Sequence, residues 1–254
     1  MVDLVRDGAL AVITLNRPEA LNALSFAIIR DIGAAIDEAA GWDIRALVFT
    51  GAGEKAFCAG ADIKELIGRS LVEERAGAEL GQRTFAKLDT FKVPSIAAIN
   101  GYAFGGGLEL AMACTFRVAS AKAKVGLPEI KLGLIPGYGG TQRLPRLVGE
   151  ARALEMVMTG RTVGAEEALA IGLVNRLAEG DVVAAAKAFA AEFTGFGLPA
   201  LSFARDAVKR ALDTPLAEGL RIEADLSTLS FRTADAAEGL AAFVEKRKPS
   251  FQDR

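Results

Sequence analysis

Three consecutive glycines, Gly105-Gly106-Gly107, separate an apolar run from a helix-forming run, and few folds accept that arrangement. Upstream lies Ser95-Ile96-Ala97-Ala98-Ile99, followed by Asn100-Gly101-Tyr102-Ala103-Phe104; downstream lies Leu108-Glu109-Leu110-Ala111-Met112-Ala113. The pattern reads as strand, tight turn, helix N-terminus. Glycine lets a backbone take positive φ and approach another group closely. The first amides of a helix have no intrahelical acceptor and carry partial positive charge, so such a turn aims donors at an anion. Glu109 falls in the first turn of that helix, where a carboxylate favours the dipole. A second acid, Glu129, follows in Gly126-Leu127-Pro128-Glu129, and a second glycine cluster in Pro136-Gly137-Tyr138-Gly139-Gly140-Thr141. Two acids near fixed amide donors also suit acid–base work on a substrate that develops negative charge. The residues alone leave both explanations of Glu109 open.

The chain of 254 residues contains no histidine. That removes Ser-His-Asp and Cys-His nucleophilic sites, His-ligated zinc and the H-E-x-x-H proteases. Any general acid or base is then Asp, Glu, Lys, Tyr or Cys, which moves weight onto Glu109 and Glu129. The two cysteines, Cys58 and Cys114, form no C-x-x-C pair and sit in apolar surroundings, as small buried hydrophobes do. A formal net charge of −2 supplies no basic field for nucleic acid or a membrane surface. The longest uncharged run, residues 93–108, is too short for a bilayer and is broken by Pro, Asn and Gly. No long apolar segment follows Asp3, Arg6 and Asp7, so the expectation is a cytoplasmic protein without a signal peptide.

Asp7-Gly8 marks a hairpin between two short strands that end near residue 15. Ser25 is the expected N-cap of a helix to about Ala40, with Ile28, Ile32, Ala35, Ile36 and Ala39 on its apolar face. Residues 46–50 read as a buried strand. The next stretch, Gly51-Ala52-Gly53-Glu54-Lys55-Ala56, superficially matches a dinucleotide-binding pattern. Phe57-Cys58-Ala59-Gly60 does not read as the helix that pattern requires. Residues 59–62 instead form a second glycine-assisted turn, with Asp62 capping a short helix to Leu66. Residues 67–75 read as a charged, mobile loop, and residues 73–90 as a helix. Residues 116–119 and 124–126 read as a strand pair. Strand–turn–helix recurs after residues 50 and 99, which predicts repeated β-β-α units, not one doubly wound sheet. Beyond residue 150 the chain reads as helices over 150–159, 165–171, 182–194, 199–212, 216–230 and 234–245. These need a body or another subunit to cover their apolar faces. Phe196-Gly197-Leu198-Pro199 divides a core, 1–195, from a helical region, 196–254. Lys246-Arg247-Lys248 is either a solvated basic patch or a contact for a phosphate.

Several motifs run through the chain in order. They are Asn16-Arg17-Pro18, Leu21-Asn22-Ala23-Leu24, Ala56-Phe57-Cys58-Ala59-Gly60-Ala61-Asp62-Ile63-Lys64-Glu65 and the glycine-rich stretch from Ile99 to Ala111. Leu127-Pro128-Glu129, Pro136-Gly137-Tyr138-Gly139-Gly140-Thr141-Gln142-Arg143 and Phe243-Val244-Glu245-Lys246-Arg247 complete the set. Together they resemble the crotonase superfamily, and within it the enoyl-CoA hydratases, over nearly the whole chain. The resemblance implies an α/β fold, a crotonase-like spiral of repeated β-β-α units. Its C-terminal helical region would serve for trimerisation and as a lid, in a homotrimer or homohexamer. It implies an acyl-CoA thioester substrate, a lyase reaction of fatty acid metabolism in which water adds syn and reversibly to a trans-2-enoyl-CoA, and no separate cofactor or metal, coenzyme A being part of the substrate.

Carried over by position, Glu109 and Glu129 are the catalytic acids, and the N–H groups of Ala61 and Gly106 form the oxyanion hole. Ala61, Asp62, Ile63, Lys64, Gly106 and Gly137 contact substrate, and the Gly137 amide helps to hold the water. Tyr138 stands where many hydratases carry a smaller residue. An isomerase of the same superfamily would use the same amides and one glutamate. An RNA-binding relative would need a lysine-rich exposed helix, whereas residues 73–90 contain only Lys87. The presence of both glutamates favours hydration over either and over a silent scaffold.

Overall fold

Aliphatic runs separated by glycine and polar turns form ten short strands, with helices between them. The computed structural model describes residues 1–254. The chain begins with β1 (Val2–Asp7), β2 (Leu10–Leu15), α1 (Phe26–Ala40), β3 (Ala46–Gly51), β4 (Ala56–Cys58) and α2 (Leu71–Ala86). Next come β5 (Ser95–Ile99), β6 (Tyr102–Phe104), α3 (Gly106–Ala113), β7 (Phe116–Ser120), β8 (Lys124–Gly126), α4 (Gly140–Val148) and α5 (Glu150–Thr159). It continues through β9 (Val163–Gly164), α6 (Ala165–Ala170), β10 (Arg176–Ala178), α7 (Val182–Ala191), α8 (Leu198–Arg210), α9 (Leu216–Ser230) and α10 (Ala234–Glu245).

One sheet has the order β1-β2-β3-β5-β7-β10, the other β4-β6-β8-β9. β1 and β2 form the antiparallel hairpin expected at Asp7-Gly8; β2, β3, β5, β7 and β10 run parallel to their neighbours. In the second sheet β4, β6 and β8 are parallel, and β9 returns antiparallel. The chain therefore gives one strand to each sheet in turn, β3 then β4, β5 then β6, β7 then β8. This is the expected β-β-α spiral. It also corrects the expected pairing of residues 116–119 with 124–126. The turn after Ser120, closed by the Ala123 N–H on the Ser120 carbonyl (2.9 Å), sends the chain across to the other sheet instead of folding it back.

β3 and β5 are buried along their whole length, as strands covered on both faces are. Ser25 caps α1 by accepting the Ile28 N–H at 3.1 Å, and the apolar face of that helix is buried as its periodicity requires. α2 begins earlier than expected. Ser70 and Glu73 form a reciprocal capping box that makes residues 71–75 helical, and the helix ends at Ala86. The helix α4 and the short strands β4, β6, β9 and β10 were not expected from the sequence.

The chain divides into two compact units, Met1–Ala190 and Ala191–Arg254. Both sheets lie in the first. The second contains α8 and α9 packed on each other, and α10. Its buried Asp235 accepts the N–H groups of Gln252 (2.6 Å) and Asp253 (2.9 Å) and so pins the terminal segment. No helix is long and apolar enough to cross a membrane.

Two asparagines tie successive turns of the spiral. Asn22, 1% exposed and at φ 58°, donates to the carbonyls of Ala52 (3.0 Å) and Ala56 (2.8 Å) and accepts the Arg17 N–H (3.0 Å). Asn100 donates to the carbonyls of Gly51 (2.9 Å), Gly53 (2.8 Å) and Ala56 (3.3 Å). Removing Asn22 would orphan buried polar groups and leave a positive φ to a residue that resists it. Asn22→Ala is expected to lower the unfolding free energy by about 2–4 kcal/mol, measured by thermal or denaturant unfolding.

Candidate active site

β4 and β6 are parallel neighbours, so the chain leaves both at the same end of the sheet. Each exit passes through a glycine in the left-handed region, Gly60 at φ 114° and Gly105 at φ 48°. A Cβ on Gly60 would lie 3.2 Å from the Phe104 carbonyl oxygen, and one on Gly105 would lie 2.8 Å from Glu129 Oε1. Glycine satisfies both the angle and the approach. The two turns press together and present Ala61 and Gly106 on the wall of one cavity.

Neither amide is spent inside the protein. Ala61 pairs with Leu24 in a parallel bridge, with the Leu24 N–H on the Gly60 carbonyl (2.7 Å) and the Asp62 N–H on the Leu24 carbonyl (2.8 Å). That register turns the Ala61 N–H away from Leu24. Gly106 opens α3, where the first amide has no intrahelical acceptor.

One helical step further, Glu109 is 1% exposed. Its Oε1 accepts the N–H groups of Tyr138 (2.8 Å) and Gly140 (2.7 Å), while Oε2 meets no protein donor and the side chain lines the cavity. Burial pushes its pKa up to about 7; the Gly140 amide opposes that rise, the Glu129 charge adds to it, and the Tyr138 amide again opposes it. Glu129 sits in the first turn of a 3-10 segment, Pro128–Leu132. Its Oε2 is buried without a hydrogen-bond partner, and burial raises its pKa as well. A buried carboxylate oxygen without a donor is costly, and such groups gather at functional sites.

Of the other residues expected here, Ile63 and Gly137 line the cavity with Ala61 and Gly106, whereas Asp62 and Lys64 do not. Asp62 accepts the Lys64 N–H (3.2 Å) as a helix cap and bonds the Arg17 guanidinium at 2.7 Å. The Arg17 bond holds its carboxyl below the ordinary range, so it anchors the turn as an ionised group. Gly137 accepts a hydrogen bond from Gln82 at 2.9 Å. The donors to Glu109 are the amides of Tyr138 and Gly140, which sequence reasoning missed although it singled out their glycine cluster. It also missed the apolar lining, Phe26, Leu66, Ala78, Leu132, Leu134 and Ile135, which comes from separated segments with no shared local signal. The cavity encloses about 430 Å³. Cys58 is buried, and that burial pushes its thiol up to about 12, so it stays protonated and inert, as expected.

The alternating two-sheet spiral with its site at the exits of β4 and β6 is the crotonase fold: the crystal structure of enoyl-CoA hydratase from Bacillus anthracis matches it with a TM-score of 0.94 at 38% identity, covering 100% of this chain and 99% of that one. A sequence profile described as enoyl-CoA hydratase/isomerase matches residues 6–254, and the chain belongs to that family. Its relatives include crotonyl-CoA hydratase of Syntrophomonas wolfei, 41% identical over 253 residues, which are 98% of this chain and 96% of the relative. Short-chain-enoyl-CoA hydratase of Clostridium acetobutylicum is 40% identical over 249 residues, 97% of this chain and 95% of the relative.

The raised pKa of Glu109 has a consequence for stability. An unfolded glutamate ionises near 4.5, the folded one near 7. Between those values the folded state holds a proton that the unfolded state releases, so this group's contribution to stability falls as pH rises through the window and levels off above it. Glu109→Gln, which keeps an acceptor for both amides, is expected to be more stable than the native protein at pH 8, by up to about 3 kcal/mol. The gap should close toward pH 5; unfolding curves for both proteins across that range check it.

Proposed function

We infer that the protein is an enoyl-CoA hydratase that adds water, reversibly and syn, across the C2–C3 double bond of a trans-2-enoyl-CoA. The observation that carries this reading is the meeting of two carboxylates of raised pKa with two unspent amides in one cavity. The thioester carbonyl accepts hydrogen bonds from the Ala61 and Gly106 N–H groups. Attack of water at C3 pushes charge onto that oxygen, and one such donor is typically worth ~3–4 kcal/mol in the transition state. The dipole of α3 adds to it.

Glu109, oriented through Oε1, keeps Oε2 for the water and takes its proton, with the Gly137 amide helping to hold that water. Glu129 shares the water and delivers a proton to C2. Two acids in a dry pocket do not both ionise easily, so a split into one proton-bearing and one ionised carboxyl is expected, the two titrating as a pair. The printed names of the Syntrophomonas and Clostridium relatives support an enoyl-CoA as the substrate class.

In this reading coenzyme A arrives with the substrate, no other cofactor takes part, and the reaction belongs to fatty acid metabolism. Two buried cysteines that form no disulfide suit the cytoplasm. The ion pairs of Arg75 and Arg83 with Glu79 neutralise the outer face of α2, which speaks against nucleic acid as a partner, as the small net charge speaks against a membrane surface. The working form is a homotrimer or homohexamer. Large exposed apolar side chains on the second unit support it, among them Leu216 (78%), Val244 (79%) and Phe243 (84%). Light scattering should return three or six chains per particle; a monomer at micromolar concentration would remove this part of the reading.

The chemistry is tested with crotonyl-CoA by following loss of the conjugated thioester absorbance. Glu109→Gln and Glu129→Gln are each expected to lower kcat by at least ~10²-fold. Near-normal turnover by either folded variant would sink the assignment. Isotopically labelled water should appear in the product; a shifted double bond without label would mean the isomerase.

A further inference from the structure

Helix α2 carries two glycines one turn apart, Gly77 and Gly81, and an aromatic ring rests on each. A Cβ on Gly77 would come within 2.6 Å of the Phe26 ring, and one on Gly81 would overlap the Tyr138 ring. Tyr138 is gripped from other directions too. A Cβ on Gly106 would lie 3.0 Å from its ring, and the fully buried Phe85 meets it edge-on, with centroids 5.9 Å apart. Its main-chain N–H is bound to Glu109, which fixes the backbone from which the ring hangs. The ring cannot retreat, because behind it is the helix main chain and not a side chain that could move aside.

The cavity has an open and a closed end. Ile63, Leu132, Leu134 and Ile135 on its rim are exposed, whereas Tyr138 is 8% exposed and Gly77, Gly106 and Glu109 are buried. The exposed rim is the way in, so the acyl end of the thioester enters the cavity and the bulky, polar nucleotide stays at that rim. With the carbonyl at Ala61 and Gly106 and C3 at the glutamates, the acyl tail points toward the closed end, where Tyr138 stands.

Resting on the hydratase reading above, we propose that the Tyr138 ring, seated on Gly81, is the end wall of the acyl site and restricts the protein to short 2-enoyl thioesters. The phenol oxygen makes no hydrogen bond within the protein, so the bulk of the ring sets the limit and not its hydroxyl. Gly81 acts through the ring: it decides how far back the wall stands.

The test compares kcat/KM for crotonyl-CoA and trans-2-octenoyl-CoA as a ratio, which cancels any loss common to both. The native protein is expected to favour the shorter substrate by about tenfold or more, the scale on which pockets discriminate added methylenes. Tyr138→Phe should keep that ratio. Tyr138→Ala should move it toward the longer substrate by about tenfold or more. Gly81→Ala, which drives the ring into the cavity, should move it the other way and keeps the proposal testable if Tyr138→Ala does not fold. An unchanged ratio in folded Tyr138→Ala, or in folded Gly81→Ala, overturns the proposal. Calorimetric binding of butyryl-CoA and octanoyl-CoA reads the wall without turnover. A preference for butyryl-CoA that Tyr138→Ala abolishes, in a protein that hydrates neither enoyl substrate, leaves the wall standing and removes the hydratase reading. Equal affinity for both in the native protein, or no binding of either, removes the wall.

Discussion

At the exits of β4 and β6 there is room for two main chains and for no Cβ between them. Gly60 and Gly105 meet there, and Gly107 stands so close to the Cys58 carbonyl that a side chain would overlap it. The architecture follows from this contact. Because the turns touch, α3 begins directly against β4, and its first amide faces a cavity instead of a protein acceptor. Because α3 begins there, its third residue after Gly106 reaches into the interior, which is how a glutamate comes to be 1% exposed. A larger residue at any of these glycines would separate the turns and move amide and acid apart together.

The cost of burying Glu109 is partly offset by two amides from the Tyr138–Gly140 loop, but they bind one oxygen and leave the other uncompensated. Glu129 has no compensating donor on its buried oxygen at all. Burial raises the proton affinity of both, the Glu129 charge raises that of Glu109 further, and the fold gives up stability to hold them there. Asp62 shows the contrast. It is close in sequence to the Ala61 turn, but a guanidinium and a helix amide satisfy it, and it stays a plain anion. Environment, not residue type, separates the acids that hold a proton more tightly than usual from the one that holds it less tightly.

Features governed by one or two neighbouring residues were legible in the sequence: the Ser25 cap, the buried runs of β3 and β5, the glycine turns, and the placing of Glu109 in the first turn of a helix. Features that depend on distant partners were not. Nothing within residues 116–126 says that its two strands belong to different sheets. β9 and β10 are two and three residues long, too short to carry a period. The start of α2 was hidden because charge around Ser70 and Glu73 resembles a loop unless the two are read as a reciprocal cap. Both acids and both glycine clusters of the site were visible, but the bond from the Tyr138 amide to Glu109 spans 29 residues and exists only in three dimensions. The glycines of α2 looked like weak points in a helix, and became intelligible once the rings resting on them were seen.

The two asparagines described with the fold bear on how the spiral comes apart. Asn22 reaches forward one turn and Asn100 reaches back one, and both donate to the carbonyl of Ala56. Three windings of the chain are therefore fastened at a single point. In a simple solenoid each repeat touches only its neighbours, and the ends can fray while the middle persists. Here neither the winding before Ala56 nor the one after it can peel away without freeing a polar group. The clasp joins the windings that carry Gly60 and Gly105 into the cavity wall, so those two turns come apart together, while the later strands lie outside it.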